Sequence, residues 1–381
     1  MIIVADTKME FAREPFSRLG EVRWLPTPEI SRDAIADADA IIIRSETRVT
    51  RDLLEGTKVR FVGTATIGTD HVDLPYLERS GIAFAAAPGS NANSVAEYVV
   101  AGLLEHSRRR AAHLAGMTIG IVGVGNVGSR VARFARALGM KVLLNDPPLA
   151  RATADPAYLP LDRLMGAEII TLHVPLTSEG PDPTLHLFDA RRLALMKKGS
   201  LLINTSRGGV TETRSLLEAL RSGECGGAIL DVWEGEPAFE AELLSRAEIG
   251  TAHIAGFSFD GKLNAARMLF TAIKAWGGSG EEWSDPPGLP APSEPKITVK
   301  TEGMTEEEIV RFAVHRVYPI REDDELLRST LLLPIGGRAS RFRSLRASYR
   351  ARREFGSFTL SLSPERPAAA ALLSSLGFHV G

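Results

Sequence analysis

Three residues that could work together in acid–base chemistry lie in separate segments of the second half of the chain. Arg207 lies in NTSRGG, Glu236 in DVWEGEP and His253 in GTAHIAG, and each follows a short apolar stretch. Histidine can take a hydroxyl proton near neutral pH, and a guanidinium can hold a carboxylate through two hydrogen bonds. A carboxylate paired with the histidine would orient its ring. Together the three suit oxidation of an alcohol carbon, although an Arg–Glu pair is more often a surface salt bridge.

A competing base is His173, which follows another predicted strand in TLHVPL. A histidine at a strand end is often only a hydrogen-bonded structural residue, so His173 and His253 both remain candidates. The other histidines lack comparable neighbours and are interpreted as structural: His71, His106, His113, His186, His315 and His379.

A glycine-rich turn upstream of these residues indicates the cofactor. The stretch TIGIVGVGNVG, from Thr118, predicts a buried strand, a turn and a helix. Gly123 allows the tight turn, Gly125 lets the backbone approach a pyrophosphate, and Gly128 lets helix and strand pack closely. The next strand ends in Asp146, near the spacing expected of an acid that binds the adenosine ribose. Because this carboxylate would repel a 2′-phosphate, the sequence favours NAD over NADP.

Alternating strands and helices predict parallel sheets throughout the first two thirds of the chain. In the first segment, strand ends place Arg44, Ser45, Thr64 and Thr66 where a small anion could be held. Local turn bonding is the alternative interpretation for the hydroxyl groups. A helix is predicted over 10–19 between the first two strands.

The second segment opens with Ser94-Val95-Ala96-Glu97, which has the form of a capping box for a long helix ending near Ser107. Strands, including 200–204 and 227–230, then alternate with helices, one of them over 161–166, and residues 259–276 return as a helix. We therefore predict an α/β fold with two doubly wound parallel-sheet domains, Rossmann- or flavodoxin-like, and a cleft between them. A small C-terminal α/β domain completes the prediction.

Domain boundaries follow from composition. Residues 1–93 and 258–280 are assigned to a substrate domain, and 94–257 to a nucleotide-binding Rossmann domain. Glycine, proline and acidic residues mark 281–295 as a linker. The last domain, 296–381, has predicted helices over 305–317 and 341–353, and the second of these is rich in arginine.

Bulk composition excludes several classes of protein. The chain has 381 residues, a formal net charge of −2 and 44% hydrophobic residues, which gives no reason to expect nucleic acid or a membrane as partner. Its single cysteine, Cys225, cannot form an intrachain disulfide or a cysteine cluster for a metal. We expect no metal site, no apolar run long enough to cross a bilayer, and a cytoplasmic location.

The motifs resemble those of the D-isomer-specific 2-hydroxyacid dehydrogenase family. The order GVGNVG, NTSRGG, DVWEGEP and HIAG carries the resemblance, and FVGTATIGTDHVD and HRVYPIREDDELLR extend it over nearly the whole chain. It implies oxidation of a phosphorylated 2-hydroxy acid by NAD. It makes Arg207, Glu236 and His253 the catalytic residues, and Ser45, Thr66, Arg44 and Phe257 residues of the substrate site. It implies that the cofactor is bound by Gly123, Gly125, Asn126, Val127, Gly128, Asp146, Val174, Thr205, Ser206, Asp231 and Gly256.

The sequence departs from the family at two points. Phe257 stands where the family usually has tyrosine, and Thr205 and Ser206 stand where alanine and cysteine are familiar. The resemblance also implies a homodimer formed through the C-terminal domain. One of its arginines could reach the partner's active site and pair with a substrate phosphate; the candidates are Arg338, Arg341, Arg343, Arg346, Arg350, Arg352 and Arg353. Another dehydrogenase of the family, such as one acting on 3-phosphoglycerate, and an NAD-sensing protein without turnover remain alternatives.

Overall fold

A computed structural model describes residues 1–381, apart from the side chain of Glu10. The chain packs as two compact units. The first unit comprises Met1–Asn91 and Ser258–Ala291, and the second comprises Ala92–Phe257 and Pro292–Gly381. The segment predicted to be a separate C-terminal domain therefore belongs to the same compact unit as the nucleotide-binding segment.

The first unit is built on a five-stranded parallel sheet in the order β2-β1-β3-β4-β5. Its strands are β1 Ile2–Asp6, β2 Glu21–Leu25, β3 Ala40–Ile43, β4 Phe61–Thr64 and β5 Ala83–Ala85. Its first helices are α1 Arg13–Ser17, α2 Arg51–Leu54 and α3 Leu74–Arg79. The side chains of β3 and β4 are buried, as expected of parallel strands covered on both faces.

The helix predicted over 10–19 is wrong in its first half. Residues Thr7–Ala12 form a 3₁₀ helix with non-helical backbone at Met9, and only Arg13–Ser17 is α-helical. Pro15 contributes to this outcome because it has no amide hydrogen to donate to the preceding turn. The helix predicted over 161–166 is likewise a short 3₁₀ helix, Leu161–Leu164.

The second unit contains a six-stranded parallel sheet in the order β11-β10-β9-β8-β6-β7. An isolated parallel bridge between Leu144 and Tyr158 lies beside β7 at the edge of this sheet. In a dinucleotide-binding sheet that position is taken by the third strand. In chain order its elements are α4 Ala92–Arg110, β6 Thr118–Val122, α5 Asn126–Ala137, β7 Lys141–Asn145, α6 Pro147–Thr153, β8 Ile169–Leu172, α7 Ala190–Leu195, β9 Ser200–Asn204, α8 Thr213–Ser222, β10 Cys225–Leu230, α9 Ala241–Arg246 and β11 Ile249–Gly250.

The chain then returns to the first unit as helix α10, Phe259–Gly277, which is N-capped by Ser258. The apolar face of α10 buries Leu269, Phe270 and Ile273 in the core of that unit. The prediction of a returning helix over 259–276 is confirmed.

The C-terminal segment contains a three-stranded parallel sheet in the order β12-β13-β14. Its elements are β12 Lys296–Lys300, α11 Glu306–Val317, α12 Ile320–Arg328, α13 Ile335–Ala347, β13 Thr359–Ser363, α14 Pro367–Ser375 and β14 His379–Val380. Tyr318 and Phe355 from this segment share one buried cluster with Tyr98 and Phe134 of the nucleotide-binding segment. This shared core makes the two segments one compact unit.

One prediction for the C-terminal segment is corrected, and one helix there was missed. The arginine-rich helix lies over Ile335–Ala347 rather than 341–353, and the chain leaves it before Tyr349. Helix α12 was not predicted at all. Its acidic run, Glu322 to Glu325, offered too little apolar periodicity to mark a buried helix.

The capping box predicted at Ser94 and Glu97 is wrong. Helix α4 already begins at Ala92, and Glu97 is fully buried instead of capping a helix end. Its carboxyl group accepts hydrogen bonds from Arg352 Nη1 at 2.6 Å and from the backbone N–H of Phe355 at 2.7 Å. Local spacing could not reveal these partners, because they lie about 250 positions away in sequence.

No helix among the described residues is long and apolar enough to span a membrane. Those residues also contain no group of three or more His, Cys, Asp or Glu side chains that could hold a metal ion. Cys225 is a free, buried thiol, and burial raises its pKa to about 11.

Candidate active site

The glycine turn between β6 and α5 has the shape that a dinucleotide requires. Gly123 has a φ of +86°, and a Cβ there would lie 2.6 Å from the carbonyl oxygen of His173. A Cβ at Gly128 would lie 1.9 Å from the Gly123 carbonyl oxygen, so only glycine allows α5 to pack this closely. At Gly125 no atom lies within 4 Å of an added Cβ. That space fits a phosphate group approaching the backbone.

The first turn of α5 supplies the donors for that phosphate. No side chain caps the helix, which begins at Asn126 directly after Gly125. Free backbone N–H groups and the positive end of the helix dipole therefore meet at the glycine turn. Val127 is half-buried against the core beside this turn.

Asp146 lies at the carboxyl end of β7, beside the glycine turn. Its carboxylate accepts hydrogen bonds from the backbone N–H of Val124 at 2.8 Å and from that of Leu149 at 3.0 Å. The second bond caps α6. The acid expected to contact a ribose is thus fixed by the two backbone segments that would flank the nucleotide.

The loops after β8 and β9 place His173 against Thr205. The ring nitrogens of His173 lie 3.0 Å from Thr171 Oγ1 and 3.2 Å from Thr205 Oγ1. Burial lowers the pKa of His173 to about 3. Since a general base works best with a pKa near the operating pH, the structure disfavours His173 as the base. Val174 follows His173 and would contact any side chain added at Gly123.

Arg207, Glu236 and His253 come from the carboxyl ends of three neighbouring strands. Strand β9 pairs with β10, and β10 pairs with β11, all in parallel. The loop that carries Arg207 packs closely against the loop that carries Glu236. A Cβ added at Gly208 would lie only 2.0 Å from the Trp233 carbonyl carbon. The three residues therefore follow one edge of a single sheet.

Glu236 and His253 form a direct pair. Glu236 Oε1 hydrogen bonds His253 Nδ1, and Glu236 Oε2 accepts from the backbone N–H of Trp233 at 3.1 Å. Burial opposes ionisation of Glu236, but the hydrogen bond and charge of His253 outweigh it and lower the pKa of the carboxyl. An ionised carboxylate only accepts, so Nδ1 of His253 donates and Nε2 is left for other chemistry.

His253 is held in a backbone conformation that non-glycine residues rarely adopt, with a φ of +57°. Asp231, at the end of β10, supports this conformation. Its backbone oxygen accepts from the N–H of His253 at 2.7 Å, and its carboxylate accepts from those of Ile254 and Ala255 at 2.7 and 2.9 Å. Thr251 Oγ1 donates to the same carboxylate at 2.6 Å. Burial raises the pKa of Asp231 despite these bonds.

The turn that presents Arg207 is shaped by Asn204, a residue that the sequence reasoning missed. Asn204 Oδ1 accepts from the backbone N–H of Ser206 at 3.0 Å and from Ser206 Oγ at 2.9 Å. Its Nδ2 donates to the carbonyl oxygen of Arg207 at 3.0 Å. Arg207 Nη1 in turn donates to the Ser206 carbonyl at 2.9 Å. Asn204 is a buried polar residue at the end of a strand, and an asparagine in that position could have indicated that it shapes the following turn.

Residues of the C-terminal segment contact Phe257, four positions after His253, and were not predicted there. The ring of Phe257 lies edge-on to Tyr349, with centroids 6.1 Å apart, and Arg346 lies 5.8 Å from the Phe257 centroid. The charge of Arg346 also contributes to the lowered pKa of Glu236. Phe257 follows Gly256, in the turn closed by a hydrogen bond from Phe257 N to the Ile254 carbonyl.

The predicted anion-binding residues of the first unit lie at the ends of β3 and β4. Ser45 is exposed, whereas Arg44 and Thr66 are half-buried. Thr66 Oγ1 donates to the Gly68 carbonyl at 2.8 Å and lies 2.8 Å from Thr64 Oγ1, so these hydroxyls also serve the turn.

Lys262, in the first turn of α10, adds a cation to this group. Burial lowers its pKa, and the positive charges of Arg44 and Lys8 lower it further. Clustered like charges of this kind would be stabilised by an anion.

The chain is similar to known dehydrogenases along its whole length. Residues 82–255 match the NAD-binding domain of D-isomer specific 2-hydroxyacid dehydrogenases, and residues 289–377 match a domain family of unknown function. An erythronate-4-phosphate dehydrogenase of Cronobacter sakazakii is 45% identical over 100% of this chain and 98% of that protein. The protein of the same name from Escherichia coli K12 is 43% identical over the same shares.

Solved structures of related enzymes share the fold over about three quarters of the chain. NAD⁺-bound 3-phosphoglycerate dehydrogenase of Entamoeba histolytica has a TM-score of 0.64 and 26% identity, and covers 74% of this chain and 96% of that one. D-lactate dehydrogenase of Aquifex aeolicus, solved with NAD and lactic acid, has a TM-score of 0.59 and 27% identity, and covers 72% of this chain and 95% of that one.

Proposed function

The chain belongs to the D-isomer specific 2-hydroxyacid dehydrogenases, and on that premise we propose that it oxidises 4-phospho-D-erythronate with NAD. The product is (R)-3-hydroxy-2-oxo-4-phosphooxybutanoate, an intermediate on the route to pyridoxal 5′-phosphate. The observation that carries the proposal is the Glu236–His253 pair, at the edge of a sheet whose first turn fits a dinucleotide. The full-length relatives of the same name support this choice of substrate.

The cofactor is NAD, which when bound accepts the hydride from C2 of the substrate. The backbone of Gly123, Gly125, Asn126 and Gly128 would hold its pyrophosphate, and Asp146 would accept from the ribose hydroxyls. We assign the nicotinamide side to the loops that carry Val174, Thr205, Ser206, Asp231 and Gly256.

His253 would act as the general base. With Nδ1 donating to Glu236, the imidazole is fixed in the tautomer whose Nε2 can take the C2 hydroxyl proton. Glu236 would then stabilise the imidazolium that forms. A base positioned in this way contributes about 10²–10⁴-fold in rate.

Substrate contacts are proposed for the residues that the family resemblance marks. Arg207 would pair with the substrate carboxylate or polarise the forming ketone. Ser45, Thr66 and Arg44 would bind the remaining polar groups. Phe257 brings no hydroxyl to the site, so any contact that a tyrosine would make is absent.

A panel of acids tests the activity. The purified chain with NAD should form NADH from 4-phospho-D-erythronate, with a higher kcat/KM than from 3-phosphoglycerate or D-lactate. A preference for 3-phosphoglycerate would assign the chain to another dehydrogenase of the family. NAD binding without NADH formation from any acid would indicate a sensor without turnover.

The variant His253→Asn tests the base in the same assay. We expect kcat/KM to fall by about 10²–10⁴-fold while the dissociation constant for NAD is unchanged. The amide keeps the size of the side chain but cannot accept the proton. Equal activity of the variant and the wild type would rule out His253 as the base.

We also propose a homodimer formed through the C-terminal segment, in the cytoplasm. The segment exposes Leu332 and Ile335 to 88% and 82% of their surfaces, and Leu326 and Leu333 to 43% and 37%. Large exposed apolar side chains concentrated in one short stretch suit an association surface. A single cysteine held as a buried thiol is compatible with a reducing compartment.

A further inference from the structure

Arg346 has a different environment from its neighbouring arginines. Arg350 is paired with Asp323, and Arg338 donates to the Leu333 carbonyl. Arg352 also has a buried Nε without an acceptor, but its Nη1 is paired with Glu97 inside the core. The Nε of Arg346 is buried, and no hydrogen-bond acceptor for it lies among the residues that the structure describes. A buried donor without an acceptor is unfavourable, so this guanidinium is suited to a ligand that brings anionic oxygens.

The position of Arg346 connects this donor to the reaction. Its guanidinium carbon lies 5.8 Å from the centroid of Phe257, which is four residues beyond His253. Its charge also acts on Glu236, the partner of His253. Arg346 therefore lies against the turn that follows His253, close enough for its charge to act on Glu236 of the same chain.

We propose that Arg346 binds the phosphate of the substrate within its own chain and so determines specificity for a phosphorylated acid. This inference rests on the proposed function, in which Arg207 holds the carboxylate at the other end of the substrate. Arg346 also lies outside residues 82–255, which match the NAD-binding domain shared by the family. A specificity contact for one substrate is expected in such an added segment. The contact comes from the same chain rather than from a partner subunit.

The variant Arg346→Met keeps the apolar stem and removes the charge. We expect the KM for 4-phospho-D-erythronate to rise about tenfold to hundredfold, the usual loss for a hydrogen bond to a charged group. The competitive inhibition constant of D-erythronate, which has the carboxylate but no phosphate, should not change. Arg346→Lys should recover part of the affinity. Arg343→Met is the control, because Arg343 is exposed on the same helix and should behave as wild type.

Three results would overturn the proposal. An equal rise in the KM for 4-phospho-D-erythronate and in the inhibition constant of D-erythronate would show that Arg346 binds the carboxylate. An unchanged KM with a shifted pH profile of kcat would show that Arg346 acts only through Glu236. Activity regained on mixing Arg346→Met with His253→Asn chains would show that the arginine acts across a dimer. Failure of the wild type to oxidise the phosphorylated acid would contradict the proposed function instead.

Discussion

His253 shows how a single residue depends on its supports. Its left-handed backbone costs about 1–3 kcal/mol, and the bonds from the His253, Ile254 and Ala255 amides to Asp231 hold it there. Strain of this kind is maintained where function requires a particular side-chain direction. The result is an imidazole aimed at Glu236 by its own backbone.

Glu236→Gln tests the charge of that pair. The lowered pKa of Glu236 means that its carboxyl stays ionised when the pH falls through its ordinary range. A fall in the wild-type kcat/KM as the pH drops through that range therefore does not reflect protonation of Glu236. In the variant, a neutral amide no longer stabilises the imidazolium that forms during the reaction, so kcat/KM should fall by about tenfold or more.

A pH–rate profile measured from acid to alkaline pH with 4-phospho-D-erythronate would measure this loss across the range in which Glu236 is ionised. Glu234→Gln is the control, because Glu234 lies two positions away and pairs with His186 instead. Its profile should overlay that of the wild type. A Glu236→Gln profile that also overlays the wild type would contradict a role for Glu236 in supporting His253.

At the scale of elements, helix α4 is joined to the C-terminal segment by a buried ion pair. Arg352 and Glu97 have side-chain exposures of 2% and 0%, and Arg352 also donates to the Ser94 carbonyl. Removing one partner of a buried pair leaves a polar or charged group without compensation. The junction therefore matters for stability far more than a surface pair would.

Arg352→Met is expected to lower the free energy of unfolding by about 3–5 kcal/mol. The double variant Glu97→Gln with Arg352→Met should cost less than the sum of the two single variants, because the paired groups leave together. Urea denaturation followed by fluorescence measures both quantities. Arg316→Met, which breaks the exposed pair with Glu294, should cost at most about 1 kcal/mol. A comparable loss of unfolding free energy in Arg352→Met and Arg316→Met would contradict the importance of the buried pair.

At the scale of the whole molecule, the C-terminal segment serves the nucleotide-binding segment and also exposes an apolar surface. The two segments share a core, while Leu332 and Ile335 remain open to solvent. Burying a large aliphatic side chain stabilises a protein by about 1.5–3 kcal/mol, and these two exposed side chains lack that stabilisation. A second copy that covers the surface would supply it.

Replacing Leu332 and Ile335 together by Asp should therefore weaken self-association by about a hundredfold or more. Sedimentation velocity at micromolar concentration would show a monomer where the wild type sediments as a dimer. Leu195→Asp is the control, since Leu195 is 51% exposed on α7, outside the C-terminal segment, and should leave the dimer intact. A double variant that still sediments as a dimer would place the interface elsewhere.

The sequence by itself determined what short-range patterns specify. Buried strands, the spacing of Gly123, Gly125 and Gly128, and the acid at Asp146 predicted an NAD-binding sheet, because each requirement acts within about 30 residues. Because Arg207, Glu236 and His253 each follow a short apolar stretch, the sequence also marked them as candidates for acid–base chemistry. The family resemblance supplied their roles.

Only the tertiary structure decided what residues distant in the sequence do together. Ser94 and Glu97 fit a local capping motif, yet Glu97 is bonded to Arg352 and Phe355, and Ser94 lies within the helix. The placement of Arg346 beside Phe257 likewise depends on how α13 packs onto the nucleotide-binding segment. Periodicity and spacing describe one helix or strand and its neighbours. Contacts between side chains about 90 to 250 positions apart in the sequence form only when the core packs.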